Sequence, residues 1–549
     1  MKSAFQPLPR LLLLAYVLAV VIGVVATLKS QAHLVGFSGS DEPSHFLNGY
    51  FISVYIKDHF GSNPLAYATD FYIHYPKISI GHWPPAYYGF LGLIFLVLPP
   101  TYTVIFVVNL LIGSLPAIGV AAALSRLATP GAALAGVVIY ALAPLTLEGY
   151  ALFMVDQPLA ACLAAATALW IAYALKPSWT LALAFAAVSA LGVLVKGNGW
   201  VALFIPLFHS LLTGHWRRVF SLKLIVAAAA AALVVVPWYL VTAKIAADGF
   251  NYQAGIAYAA HALGANLVFL ADNISWLGLA LALFAIIAEF RHRAASVPRW
   301  SVVSGLVSLI LATLTLQSLV PVDIVDRYMA PALPAVVVLA VLGGLRLLAL
   351  ARDTRASAWR GLGVALVAAA MIWPGAHHLS QRVPKADVGA MRIADRLDPG
   401  VHAAITVIDG SAGNEGAFIA AMATHDPGLQ SYVVRASKLF ADSNFMGTAY
   451  KLKFQDAVGV LSELRRLGVR YVVMVRAGGS AAFPHSEQLR AALALPDSGY
   501  RLSENVAHEN RVGMTELYES TVSIIPNTQA VRSMGIPAKA VAVAYPDRK

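Results

Sequence analysis

Apolar runs recur along the first 375 residues, and their length decides the class of fold. They fall at about 11–28, 84–98, 101–124, 131–147, 157–174, 179–195, 199–213, 223–241, 273–290, 301–319, 328–346 and 359–375. Most approach the ~20 residues that carry an α-helix across a hydrocarbon layer. With 59% hydrophobic and only 12% charged residues, the chain is far too apolar for a water-soluble fold. It is predicted to be a polytopic α-helical membrane protein. Lys2 and Arg10 ahead of the first run resemble a secretory signal. The length of that run, the lack of a clean small-x-small cleavage site and the spans that follow favour a retained helix.

The basic residues orient the spans. A formal charge of +11 need not mean a nucleic-acid partner, and none is predicted, because Lys and Arg gather in short loops. Gly214–Lys223 carries Arg217, Arg218 and Lys223. Arg291–Trp300 carries Arg291, Arg293 and Arg299, and the stretch from Arg346 to Arg360 adds Arg352 and Arg355. These loops are expected on the cytoplasmic side, with the N-terminus. The loops 30–83, 242–272 and 320–327, and everything after about 376, are then external. Parity requires 84–124 to cross an odd number of times. Pro84–Leu98, short and bracketed by Pro84-Pro85 and Pro99-Pro100, is read as a juxtamembrane or re-entrant element. That leaves about eleven crossings.

Two modules are predicted, a membrane module over 1–375 that includes the external loop 30–83, and an extracytoplasmic domain over 376–549. In the loop, Phe46, Tyr50, Phe51, Val54 and Tyr55 recur at helical spacing behind Pro43, as in an amphipathic helix lying on the outer membrane face. Beyond 376, Ala403–Ile408, Ser431–Val434 and Tyr471–Val475 read as strands. Asp456–Leu467, closed by Gly468, reads as a helix. A small α/β domain follows, with 521–549 an irregular tail. Gly410–Gly416, between a strand and a helix, could hold a phosphate, but it lacks dinucleotide spacing and reads as a tight turn. The single cysteine, Cys162, is a packing residue in an apolar span.

The middles of the spans carry almost no charge. Asp41, Glu42, Glu148, Asp156, Lys196, Lys244, Asp323, Asp326 and Arg327 gather at their predicted outer ends. Charge at the bilayer centre costs ~3 kcal/mol or more, and pumps and proton-coupled carriers use it. The pattern here instead predicts a site open to the outer surface and to lipid. Each residue also has a plainer reading: Asp41 as a turn residue, Asp156 as a helix cap, Lys196 as a snorkelling base, His82-Trp83 as an interfacial anchor.

Five stretches in order, Asp41-Glu42, His82-Trp83-Pro84-Pro85, Val155-Asp156-Gln157-Pro158, Val195-Lys196-Gly197 and Arg327-Tyr328 with Pro331 and Pro334, resemble the GT-C superfamily of glycosyltransferases. The likeness is to protein O-mannosyltransferases and lipid A aminoarabinose transferases, which use polyprenyl-phosphate sugars. Pro237-Trp238-Tyr239 is a weaker match. Trp83-Pro84-Pro85 behind His82 is nearer the His-Pro-Pro of the mannosyltransferases than the Lys-Pro of the aminoarabinose enzymes. There is no Asp-x-Asp in the first loop, so the metal-dependent oligosaccharyltransferase pattern is not met.

The resemblance implies a hexosyl- or pentosyltransferase, and the compact loops with the C-terminal α/β domain point to a bacterial inner membrane. Its donor would be a polyprenyl monophosphate sugar of the undecaprenyl type, and its acceptor a hydroxyl on a glycolipid, glycan or protein. Asp41 would be the general base, with Glu42 orienting it and Asp156 a second acid near the acceptor. Lys196, Arg327 and His82 would lie near the donor phosphate. His45, Tyr50, Tyr87 and Tyr88, with Phe46 and Phe51, would line or close over the sugar and acceptor. A monophosphate held by cations needs no divalent ion, so no metal or other cofactor is expected. A lipid or glycan flippase is the alternative, but it would want polar residues continuing through the bundle. A scaffold would leave the charged ring without a purpose.

Overall fold

A computed structural model describes the chain except residues 1–8, 38, 80, 248–249, 251, 351–356, 383, 386, 398–402, 443–449, 479–482 and 535–549. Lys2, Arg352, Arg355 and the last part of the predicted tail lie outside the described residues. The chain forms two compact units. One comprises residues 1–30, 83–87 and 106–382, the other 31–82, 88–105 and 383–549.

In the first unit every predicted apolar run is helical, as the hydropathy requires. Six helices among the described residues are long and apolar enough to cross a membrane: Pro9–Ser30, Tyr102–Leu127, Asp156–Leu175, Leu222–Ile245, Ile256–Arg291 and Val297–Leu319. The run at 131–147 is two helices, Pro130–Leu142 and Pro144–Ala151, bent by 60°. Proline cannot continue the backbone ladder, so the break falls at Pro144. Besides this bent run, four further predicted crossings fall on helices outside that set, among them Trp179–Val195, Val201–Thr213 and Leu333–Leu350. The expected loop 242–272 is largely helix. Leu222–Ala246 ends late, and Ile256–Arg291 begins early and breaks at Ser275, where φ is 66°. The sequence rule missed this stretch because Asp272, Asn273 and Ser275 interrupt its hydropathy.

Broken helices leave backbone groups that lipid cannot satisfy. Here two buried asparagines serve them. Asn109 Nδ2 donates to Gly149 O (2.7 Å) and Leu152 O (3.2 Å), and Asn273 Oδ1 accepts from Leu145 N (2.8 Å). Far along the bundle, Glu289 is held by Arg299 (2.7 Å) and Arg346 (2.6 Å). Two of the arginine-rich loops therefore meet on one side. Helix Val297–Leu319 starts at this clamp and, ~34 Å of helix later, delivers the chain to residues 320–327.

The second unit is built on a five-stranded sheet. Its strands are β1 (Ile405–Asp409), β2 (Tyr432–Arg435), β3 (Val469–Ala477), β4 (Tyr500–Ala507) and β5 (Gly513–Ser520), in the order β2-β1-β3-β5-β4. The pairs β1–β2 and β1–β3 are parallel, while β3–β5 and β5–β4 are antiparallel. All of β1 is buried, as expected of a strand covered on both faces. Helix Ala457–Leu467 lays Val460, Leu461, Leu464 and Leu467 on this core. Asp456 caps it through Gly459 N (2.8 Å), and Gly468 closes it in the left-handed conformation. The tail is not wholly irregular, since Thr528–Met534 is a helix.

The first loop packs in this unit. Helix Pro64–His74 and the residue after it are tied to the C-terminal region. Tyr75 donates to Asp426 (2.6 Å), His74 meets Ser431 O (2.8 Å), and Arg532 pairs with Asp70 (2.7 Å). Helix Glu42–Asp58 is not a surface amphipath, because Glu42 through Phe51 are all buried. Glycines allow it to pack closely. A Cβ on Gly49 would lie 2.8 Å from Leu91, and one on Gly92 2.7 Å from Ile52. Phe46 lies in a ring cluster with Phe37, Phe95 and Tyr102. The apolar spacing was real, but it reflects burial in the aromatic core of this unit. Helix Ala86–Val97 has 12 residues, too short to cross a bilayer.

Candidate active site

In the first unit three sequence-distant motifs converge. Asp156 opens helix Asp156–Leu175, Lys196 ends helix Trp179–Val195, and Arg327 lies in the short 3-10 turn Asp326–Met329. Lys196 Nζ donates to Asp156 Oδ1 at 2.6 Å, with both side chains buried. The same ammonium stands 4.5 Å from the centre of the Tyr328 ring, and the Arg327 guanidinium 5.8 Å from it. Arg327 Nη1 lies 3.7 Å from Met154 Sδ.

Asp156 is the first residue inside its helix, and Val155 occupies the capping position. The Asp156 carboxylate fixes Lys196, and Oδ2 is buried with no hydrogen bond among the described residues. The turn Gly197–Trp200 sets the direction of Lys196. It folds back so tightly that a Cβ on Gly199 would lie 2.4 Å from the Gly192 backbone. Tyr239 of the Pro-Trp-Tyr stretch braces this turn by donating to Val193 O (2.9 Å). Tyr258 braces the chain before Arg327 by donating to Val320 O and Val322 O, each at 2.8 Å.

A cleft of about 330 Å³ opens here, lined by Glu148, Met154, Asp156, Gln157, Asp326 and Arg327 among others. Lys244 is exposed and does not line it. Glu148 and Asp326 entered the sequence reading only as members of the charged ring, and the cleft gives them a place. Its three carboxylates can accept hydroxyl hydrogens, as a sugar offers, while Arg327 can face a phosphate.

The other predicted residues lie in the second unit, except Tyr87, which is buried in the first with its ring 6.1 Å from Phe153. Asp41 precedes helix Glu42–Asp58 without a side-chain cap to it, and accepts from Ser40 Oγ at 3.3 Å. Glu42 is fully buried. It accepts from Lys385 Nζ (2.9 Å) and Gly39 N (2.8 Å), and Lys385 also donates to Gly36 O (3.1 Å). This geometry makes Glu42 an anchor for the turn that carries Asp41. His45 Nδ1 and the Tyr88 hydroxyl are 2.7 Å apart. His45, Tyr50, Tyr87 and Tyr88 each expose 5% or less, so the aromatics expected to close over a sugar are core residues in this conformation. His82 is half-buried, with its N–H on Ser79 O (3.3 Å).

Known proteins share this arrangement of elements. ArnT from Cupriavidus metallidurans, solved bound to undecaprenyl phosphate, superposes with a TM-score of 0.54 at 14% identity, over 92% of this chain and 97% of that one. The chain has the GT-C glycosyltransferase fold. Two further GT-C proteins are similar. An Archaeoglobus fulgidus oligosaccharyltransferase, solved with a tethered acceptor peptide, has a TM-score of 0.53 at 13% identity over 86% of this chain and 70% of that one. The mycobacterial arabinofuranosyltransferase AftD has a TM-score of 0.53 at 16% identity, over 95% of this chain and 42% of that one. The sequence profile of the family described as dolichyl-phosphate-mannose-protein mannosyltransferase matches residues 82–241. That region includes Asp156, Lys196 and Tyr239. No curated protein matches the chain in sequence. Among the described residues, no three His, Cys, Asp or Glu side chains converge as metal ligands.

Proposed function

We propose that this protein moves a hexosyl or pentosyl group from a polyprenyl monophosphate to an acceptor hydroxyl at the extracytoplasmic face of a bacterial inner membrane. The observation that carries the reading is the buried Asp156–Lys196 pair at the wall of a cleft that Asp156 and Arg327 line, within a GT-C fold. A phosphodiester donor brings one negative charge. Arg327 and Lys196 supply the positive field that stabilises the departing lipid phosphate, an effect worth most where water is excluded. Glu148 and Asp326 accept hydrogen bonds from sugar hydroxyls.

Asp41 takes the acceptor's proton. The acceptor oxygen bonds to the anomeric carbon as the bond to the phosphate oxygen breaks on the opposite face, so configuration inverts and polyprenyl phosphate leaves. Glu42, locked by Lys385, positions the turn that carries Asp41. No step requires a divalent ion.

The test is turnover by the full-length protein in liposomes supplied with polyprenyl-phosphate sugars and followed by mass spectrometry. Asp41→Asn is expected to lose ~10²-fold or more in rate while folding normally, and chelation by EDTA is expected to leave the wild-type rate unchanged. Normal turnover by Asp41→Asn would remove Asp41 from the chemistry.

A further inference from the structure

The first unit holds a second cavity, away from the Asp156 cleft. It is a groove of about 420 Å³ between helices Tyr102–Leu127, Asp156–Leu175 and Val297–Leu319, with the start of Leu333–Leu350 behind it. Small residues such as Gly119, Ala123, Ala164 and Ala168 form its sides, and Pro334 and Val338 its floor. The groove opens sideways, since Gly119 and Ala168 are exposed while Pro334 and Val338 are buried.

Small residues in membrane helices usually let the backbones close up. That happens at Gly305, where a Cβ would lie 2.5 Å from Ile171. It does not happen at Gly119, where a Cβ would meet only Ala164, at 3.8 Å. The space between helices Tyr102–Leu127 and Asp156–Leu175 is therefore left for something else. Its interior asks for no polar ligand. Thr167 already donates to Leu163 O (2.7 Å), and no acidic side chain lines the groove among the described residues.

The charged lining residues are two arginines at one end. Arg299 is fixed by both oxygens of Glu289 (2.8 and 2.7 Å) and by Leu127 O (2.7 Å). Arg126 is exposed and makes no ion pair or side-chain hydrogen bond among the described residues. Glu289 is shared with Arg346, so these three arginines and one carboxylate leave a positive excess. The loops 128–129, 176–178, 214–221 and 292–296 add no Asp or Glu, and residues 351–356 are net basic.

The groove has the depth of one leaflet. From the arginine end, Leu127 to Gly119, Arg299 to Leu309, Leu175 to Ala164 and Arg346 to Pro334 each cover ~12 to 18 Å of helix. Half of a hydrocarbon core is ~15 Å. Asp156 lies a further ~12 Å of helix beyond Ala164, so this leaflet is the one opposite the candidate active site.

An apolar slot one leaflet deep, with an unpaired guanidinium at its mouth, fits an acyl chain below an anionic headgroup. We propose that the groove binds an anionic phospholipid. One acyl chain lies between helices Tyr102–Leu127 and Asp156–Leu175, and the phosphate bonds to Arg126 as a planar donor fork allows. The site is separate from the transfer chemistry and stands whether or not that reading holds. The bound lipid fills the gap beside the helix whose first residue is Asp156.

The experiment uses the full-length protein, delipidated in a neutral detergent and titrated with dioleoyl phosphatidylglycerol. Retained lipid is read by native mass spectrometry, beside the unfolding temperature. Wild type should retain one molecule saturably and unfold later with it. Dioleoyl phosphatidylcholine, with the same chains and no net charge, should bind about tenfold more weakly, the loss expected of one charge-assisted contact. Glycerol phosphate, a headgroup without chains, should give no response. Arg126→Gln, at an exposed position, should lose about tenfold in affinity for phosphatidylglycerol. Ala168→Phe, which fills the groove from its rim, should retain neither phospholipid.

Equal retention of phosphatidylglycerol by wild type and both variants would overturn the proposal. Equal binding of the two phospholipids would overturn it too, by removing Arg126 from recognition. Displacement by undecaprenyl phosphate at matched concentration would give the groove to a polyprenyl tail instead. A dimer that forms as lipid is lost would show that a second copy covers it, again against the proposal.

Discussion

Lys196 Nζ and Asp156 Oδ1, forty residues apart in sequence, lie 2.6 Å apart and buried. Removing one member of a buried pair strands a charge and typically costs about 3–5 kcal/mol, whereas removing both can be nearly neutral. Lys196→Met and Asp156→Asn should each lower the unfolding temperature in detergent. The double variant should recover much of the stability and none of the transfer. Full additivity of the two losses in a double-mutant cycle would show that the pair is not coupled.

Gly199 aims Lys196. Gly199→Ala places a methyl 2.4 Å from the Gly192 backbone, where backbone cannot give way cheaply. Overpacking of this kind costs about 1–3 kcal/mol, and donor affinity should fall with it as Lys196 is displaced. Gly264→Ala is the control. Nothing lies within 4 Å of a Cβ there, so stability should hold or rise slightly. Equal unfolding temperatures for the two variants would refute the steric account.

Glu42 and Lys385 join the first loop to the chain that follows the last helix of the bundle, across 343 residues of sequence. Glu42→Gln and Lys385→Met should each expose the first loop to limited proteolysis and lower turnover through misplacement of Asp41. Lys385→Arg should restore part of both. Unchanged proteolysis with lost turnover would argue instead for a direct chemical role of Glu42.

Lys77 should leave a signature in the pH dependence of stability. Burial, aided by Arg435 and Lys438, holds its folded value near 8, below the ordinary 10.5, so the folded state releases the proton first. Below pH 8 both states are protonated and its contribution is flat. Between 8 and 10.5 the unfolded chain holds more protons, so stability rises with pH. Unfolding curves of wild type and Lys77→Met should diverge over that window, wild type gaining. Parallel curves would mean that Lys77 is not buried among cations.

Much of this was legible in the chain because the signals are local. Apolar length marked most of the long helices in the first 375 residues, and Pro84-Pro85 and Pro99-Pro100 marked the helix too short to cross. Asp456 and Gly468 marked the ends of their helix through capping that depends on a few neighbouring residues. The run at Ile256–Ala271 was missed because polar residues at its far end diluted its hydropathy. The helix Glu42–Asp58 was placed on a membrane surface because helical spacing does not tell whether the other face is wet or packed.

The sequence by itself determined the membrane class, the helical segments and the residues able to carry charge-driven chemistry, since hydropathy and residue type act over one or two helical turns. The tertiary structure decided which charges meet. It gave Lys196 to Asp156, Glu42 to Lys385 and Arg435 to Glu415, and it grouped the first loop with the C-terminal region. Those choices depend on which backbones approach within a few ångströms at glycines such as Gly49, Gly199 and Gly416, and on the cost of burying a charge without a partner. Both are properties of packing between segments far apart in the chain.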